Sequence, residues 1–171
     1  LLKSSASEEC VLEKFRSVSS KHASEEGVVY VLAIPSITIP IPFFNLSRTG
    51  IGLILTAEVT CTPGSGKLTV TGLPSEVMKE SAEVAMGFLR WWVLKSLNSP
   101  KRDPGKHDFH IHIAPNAMPK DGPSAGLPLT IALISVVLAK SLPPSLAMTG
   151  EITIKGKVLP VGSIEEKVTT A

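Results

Sequence analysis

Met118-Pro119-Lys120-Asp121-Gly122-Pro123-Ser124-Ala125-Gly126, with the apolar run Leu127 to Ala139 behind it, is the stretch on which the reading of this chain turns. Gly122 can take backbone angles closed to other residues, and Pro123 holds φ near its helical value, so the pair forces a sharp entry into the apolar run. Phe109 to Ala114 reads as an extended segment before it. The spacing therefore predicts strand, loop and helix, with Ser124 at the N-cap or in the first turn. Ala125 and Gly126 are too small to screen its hydroxyl. Free amides and the positive helix end converge there, so an oxyanion formed beside Ser124 would be stabilised. By default such a serine only caps its helix; it becomes a nucleophile if a base stands near.

A base would have to come from outside the helix that follows. Leu127, Leu129, Ile131, Ala132, Leu133, Ile134, Val136, Val137 and Leu138 leave no polar face, which predicts a central buried helix. With Ser124 as N-cap, Pro128 would be the fourth helical residue and would remove only the bond to the Ser124 carbonyl. Leu146 to Thr149 and Glu151 to Ile154 read as short strands around Gly150, and Lys157 to Val161 as another after a Lys155-Gly156 turn. Ser163 with Glu166 three residues on has the form of a capping box, which starts a helix at Ile164 and places Lys167 one turn in. Burial and a positive helix end both lower a lysine pKa, so Lys167 is a candidate proton acceptor.

Upstream, Ser75 to Leu97 has helical spacing with Pro74 just before it. Ile51 to Thr62 and Lys67 to Thr71 read as a hairpin closed by Pro63-Gly64-Ser65-Gly66. Val28 to Ile34 has strand character, and residues 8 to 23 a modest helical period. Pro35, Pro40 and Pro42 mark a linker. Strands interleaved with helices predict an α/β (α+β) domain.

Several features delimit function. Gly64-Ser65-Gly66-Lys67 resembles a phosphate loop but has Leu68 where Ser or Thr is required and Cys61 where a glycine is required. His110 and His112 share one face of a strand, yet no third ligand is positioned by sequence, so no metal site is assigned. Cys10 and Cys61 form neither a CxxC pair nor a disulfide framework, which suits an intracellular compartment. The net charge of +2 does not mark a nucleic-acid binder, although Lys101, Arg102 and Lys106 form one basic loop. No apolar run reaches the roughly 20 residues that span a bilayer. Nucleic acid and membrane are therefore not expected partners.

Pro119 to Gly126 resembles the nucleophile motif of the Lon family of ATP-dependent proteases. Ala147-Met148-Thr149-Gly150-Glu151-Ile152, with Gly156 to Gly162 and Glu166-Lys167, is similar to the family's segment carrying the catalytic lysine. Gly66-Lys67-Leu68 to Thr71-Gly72 and Glu76 to Ala82 resemble its first hairpin and helix. Leu12 to Arg16 is similar to the last helix of the lid of the family's ATPase module. The expected organisation is a helical segment at 1–26, a linker at 27–48 and a Lon-type proteolytic domain at 49–171. That domain would be incomplete at its C-terminus, and the chain, which begins without methionine, a piece of a longer protein.

The resemblance implies a serine endopeptidase with a Ser124–Lys167 dyad acting on unfolded or damaged proteins. Thr149 would orient the lysine amine, Ala125 would contribute to the oxyanion hole, and Asp121 would belong to a loop that opens or occludes the serine. His110 and His112 would have supporting roles near the site. No cofactor is expected in this chain; ATP and Mg are implied for the full-length protein, whose ATPase module lies outside it. A homohexamer is implied, in the peroxisome or the mitochondrial matrix by preference and in bacterial cytoplasm otherwise. The rival expectation is a truncated noncatalytic module retained for oligomer assembly.

Overall fold

The computed structural model describes residues 25–34, 52–97, 100–115 and 122–171. The helix expected over 8 to 23, the linker prolines and Asp121 lie outside the described residues. In chain order the elements are β1 (Val28–Ala33), β2 (Leu53–Pro63), β3 (Leu68–Thr71), α1 (Glu76–Ser96) and β4 (His107–Ala114). A 3-10 turn (Pro123–Ala125) leads into α2 (Gly126–Leu138), followed by β5 (Ala147–Met148), β6 (Glu151–Ile152), β7 (Val158–Leu159) and α3 (Ile164–Thr170).

Alternation along three strands builds the floor of the core. Val29 and Val31 of β1, Leu55, Ala57 and Val59 of β2, and Phe109, Ile111 and Ile113 of β4 all point to one side and are buried. Two helices cover that side. Met78, Ala82, Ala85, Met86, Leu89 and Val93 form the inward stripe of α1, and Leu129, Ala132, Leu133, Val136 and Val137 that of α2. Each large buried side chain contributes about 1.5–3 kcal/mol relative to exposure, which outweighs the helix propensities of the β-branched residues in α2. Ser75 caps α1 by accepting from the Met78 amide at 3.2 Å. Trp92 packs against the core, while Trp91 is 47% exposed and tilts against Phe88 at 6.1 Å.

The five-stranded sheet runs β3-β4-β2-β1-β5, with β6 and β7 forming a separate antiparallel pair. This corrects the expected hairpin of residues 51–71. β2 and β3 do not pair; β4 lies between them, antiparallel to β2 and parallel to β3. The cause is α1, whose apolar stripe must cross the sheet and so returns the chain in the middle of it. The Asp108 carboxylate holds the turn open for β4, accepting from the Ser65 and Lys67 amides at 2.8 Å each. β1 belongs to the same sheet, pairing along its whole length with β2 and, over Tyr30 and Val31, in parallel with β5.

The basic loop serves the fold. Arg102 donates to the Val136 carbonyl at 2.6 Å and pairs with Glu26 at 2.7 Å, tying the loop to the end of α2. Among the described residues no helix is long and apolar enough to cross a membrane.

Candidate active site

Gly122 takes φ +99°, as the turn residue before Pro123 required, and the chain enters a 3-10 turn rather than starting α2 directly. Ser124 is the middle residue of that turn and half-buried. It is not the helix cap: the N-cap of α2 is Ala125, which has no side chain to bond with, so Pro128 stands third in the helix rather than fourth. Among the described residues no hydrogen bond holds the Ser124 hydroxyl. Ala125 is 1% exposed, with its backbone in the same turn.

Gly150 is fastened to this turn from outside. Its amide donates to the Ser124 carbonyl at 2.8 Å, and its carbonyl accepts from the Leu127 amide at 2.9 Å. The two segments touch closely. A Cβ on Gly150 would lie 3.0 Å from the Leu127 Cβ, and one on Gly126 would lie 3.3 Å from the Ile152 nitrogen. Thr149 and Glu151, the neighbours of Gly150, are thereby set beside the serine.

Lys167 arrives from the far end of the motif. The helix that carries it begins at Ile164 as expected, but not by the expected cap. Ser163 has φ +55° and ψ +41°, the left-handed region, and its side chain makes no capping bond. An N-cap serine reaches the first-turn amides from extended backbone angles, so the left-handed backbone aims the hydroxyl elsewhere. Lys167 itself is 5% exposed, and its Nζ donates to the Thr149 hydroxyl at 3.2 Å. Burial pushes its pKa below the ordinary lysine value.

Ser124 and Lys167 line one cavity of about 360 Å³. Its other walls are Ile34, Pro123, Glu151, Pro160, Val161, Gly162 and Ser163. Thr149 bonds the amine and is absent from the wall. An amine that gives up its proton more readily than an ordinary lysine thus faces the same cavity as the Ser124 hydroxyl, an arrangement suited to nucleophilic chemistry at serine.

His110 and His112 do not line the cavity. They stand on the sheet face away from the core, and both bond the Thr71 hydroxyl, His110 through Nε2 at 2.9 Å and His112 through Nδ1 at 2.8 Å. A hydroxyl has one proton, so at least one of these imidazole nitrogens must carry a proton and donate. Sequence reasoning missed the wall residues Ile34, Glu151, Pro160, Val161 and Ser163. Glu151 was within reach as the neighbour of Gly150, whereas Ile34 lies just past β1 and had no local signal.

The fold and this cavity define an α/β domain with a serine on a helix-entry turn and a buried lysine amine facing the same space. Comparison with known proteins gives the family. The Lon protease (S16) C-terminal proteolytic domain matches residues 44–171. A Lon protease of Methanosarcina barkeri is 52% identical over 120 residues, covering 70% of this chain and 15% of that protein. One from Solibacter usitatus is 48% identical over 120 residues, again 70% and 15%. One from Roseiflexus castenholzii is 42% identical over 158 residues, covering 92% of this chain and 18% of that protein. The chain belongs to the Lon protease family and spans between 15% and 18% of the length of these relatives.

Proposed function

We propose that this domain is a serine endopeptidase in which Ser124 and Lys167 form the catalytic dyad. The observation that carries the reading is the state of Lys167: a buried amine, lowered in pKa, that donates to Thr149 and shares a cavity with Ser124. A neutral amine takes the Ser124 proton as Oγ attacks the peptide carbonyl carbon. The C–N bond then breaks, the ammonium returns the proton to the leaving amine, and an acyl-serine remains. Water, deprotonated by the same amine, attacks the ester carbonyl carbon; the C–Oγ bond breaks, the ammonium returns its proton to Oγ, and the acid product leaves with serine and amine restored. The Ala125 amide donates to the carbonyl oxygen as it gains charge. Thr149 accepts from the amine and so fixes where its lone pair points. Asp121, three residues before the nucleophile, belongs to the loop that opens or occludes it. His110 and His112 act, on this reading, through the rigidity of β3 and β4 rather than by contact with substrate.

Substrates are unfolded or damaged proteins delivered by an ATPase module outside this chain, in a homohexamer. ATP and Mg belong to that module. The glycine-rich turn at 64–67 does not suit a phosphate, because its Ser65 and Lys67 amides already bind the Asp108 carboxylate. A peroxisomal or mitochondrial matrix location is part of this proposal, with bacterial cytoplasm as its alternative.

The test is hydrolysis of a small fluorogenic peptide without ATP by the 171-residue chain, beside Ser124→Ala and Lys167→Ala. Turnover lost in both variants supports the dyad. A folded parent with no turnover favours the noncatalytic assembly module.

A further inference from the structure

The bond between the Ser124 carbonyl and the Gly150 amide depends on what the rest of α2 asks of that carbonyl. In a continuous helix the amide of residue 128 donates to the carbonyl four residues back, which is Ser124. The 3-10 turn runs into α2 without a break, with Ala125 at φ −83° and ψ −11° and Gly126 at −57° and −46°, so the Ser124 carbonyl lies along the same axis. Residue 128 is a buried proline and has no N–H to give. The carbonyl instead accepts from Gly150 at 2.8 Å, on the segment whose next side chain, Thr149, holds the Lys167 amine at 3.2 Å. A carbonyl oxygen has two lone pairs and can be shared, but a second donor draws on the same oxygen and weakens the bond already made to Gly150.

We propose that Pro128 is a positioning residue: by withholding an amide N–H it leaves the Ser124 carbonyl to Gly150 and so fixes the serine turn against the Thr149–Lys167 pair. Its catalytic consequence rests on the dyad reading above. The structural half does not. The same proline would be read in most helices as an interruption tolerated near an end; here the missing donor leaves the Ser124 carbonyl for a bond between two distant parts of the chain.

The experiment compares Pro128→Ala, which supplies the amide, with a backbone ester at position 128 that carries alanine's methyl group and no N–H. Hydrogen exchange of the Gly150 amide is measured by NMR, with the Leu133 amide as reference for global opening, and kcat and KM are measured on the fluorogenic peptide. Pro128→Ala is expected to lower Gly150 protection by about fivefold relative to Leu133, the net worth of one amide hydrogen bond, and kcat by a similar factor with KM unchanged. The ester variant is expected to keep both near the parent. Equal behaviour of the two variants, or undiminished Gly150 protection in Pro128→Ala, would overturn the proposal. Should the parent lack Ser124-dependent turnover, the dyad reading fails while Gly150 exchange still decides the role of Pro128.

Discussion

Replacing Ser163 with glycine is expected to stabilise this domain, against the usual rule for helix starts. Serine is among the best N-caps, and its replacement by alanine typically costs about 1 kcal/mol because a bond to a first-turn amide is lost. Here there is no such bond to lose, since Ser163 sits at φ +55° and ψ +41° with its side chain uninvolved in capping. A residue with a Cβ is roughly 1–2 kcal/mol less stable in the left-handed region than in its ordinary one, and glycine avoids that cost. Glycine adds backbone entropy to the unfolded chain, worth about 0.5–1 kcal/mol in the other direction. The balance favours Ser163→Gly by about 0.5–1 kcal/mol, or roughly 1–4 °C in thermal midpoint for a chain of this size. Urea titration monitored by far-UV circular dichroism measures it, with an unchanged slope and a raised midpoint as the expected outcome. A midpoint lowered by the equivalent of about 1 kcal/mol would show a working serine cap and refute the reasoning.

The same structure sets three further outcomes. Lys167 has a folded pKa below its unfolded value, so the unfolded state binds more protons between the two and stability rises with pH across that window. Lys167→Met should remove that slope and raise stability at neutral pH, read from urea midpoints at about pH 7 and about pH 10. Gly150→Ala puts a Cβ 3.0 Å from the fixed Leu127 Cβ and should cost about 1–3 kcal/mol, whereas Gly162→Ala, whose Cβ meets nothing within 4 Å, should be nearly neutral; thermal midpoints of the pair compare them. The Lys67 and Ser65 amides hold the Asp108 carboxyl below its usual range, so its contribution is present above the unfolded pKa and lost as pH falls through the folded one. Asp108→Asn should shrink the difference in urea midpoint between about pH 6 and about pH 3.

Legibility in the sequence went as far as near neighbours decide the structure. The apolar run after Ser124 had to be a buried helix, and the period of residues 75–97 had to make α1, because both patterns are set within a few turns. Ser124 and Lys167 were picked out by a turn motif and a helix start, each local, while their approach to one cavity came from the family resemblance. The misreadings share a cause. β4 enters between β2 and β3 from some forty residues away, a choice made by the crossing of α1 and the grip of Asp108 on the turn. The Ser163-to-Glu166 spacing resembles a capping box, but backbone angles decide whether the hydroxyl can reach, and spacing does not report angles. The missing donor at Pro128 was visible in the sequence; its partner Gly150 was not, since the two meet only through tertiary packing.

The central claim is that Ser124 is activated by Lys167. The most direct measurement is the rate at which a small serine-directed covalent probe labels the protein as pH is varied, with the labelled residue located by mass spectrometry, in the parent and in Lys167→Met. The account predicts a single label on Ser124, a rate that rises with pH and levels off below the ordinary lysine range, and near-complete loss of labelling in the folded variant. Labelling of Ser124 at the same rate and with the same pH dependence without Lys167 would contradict it.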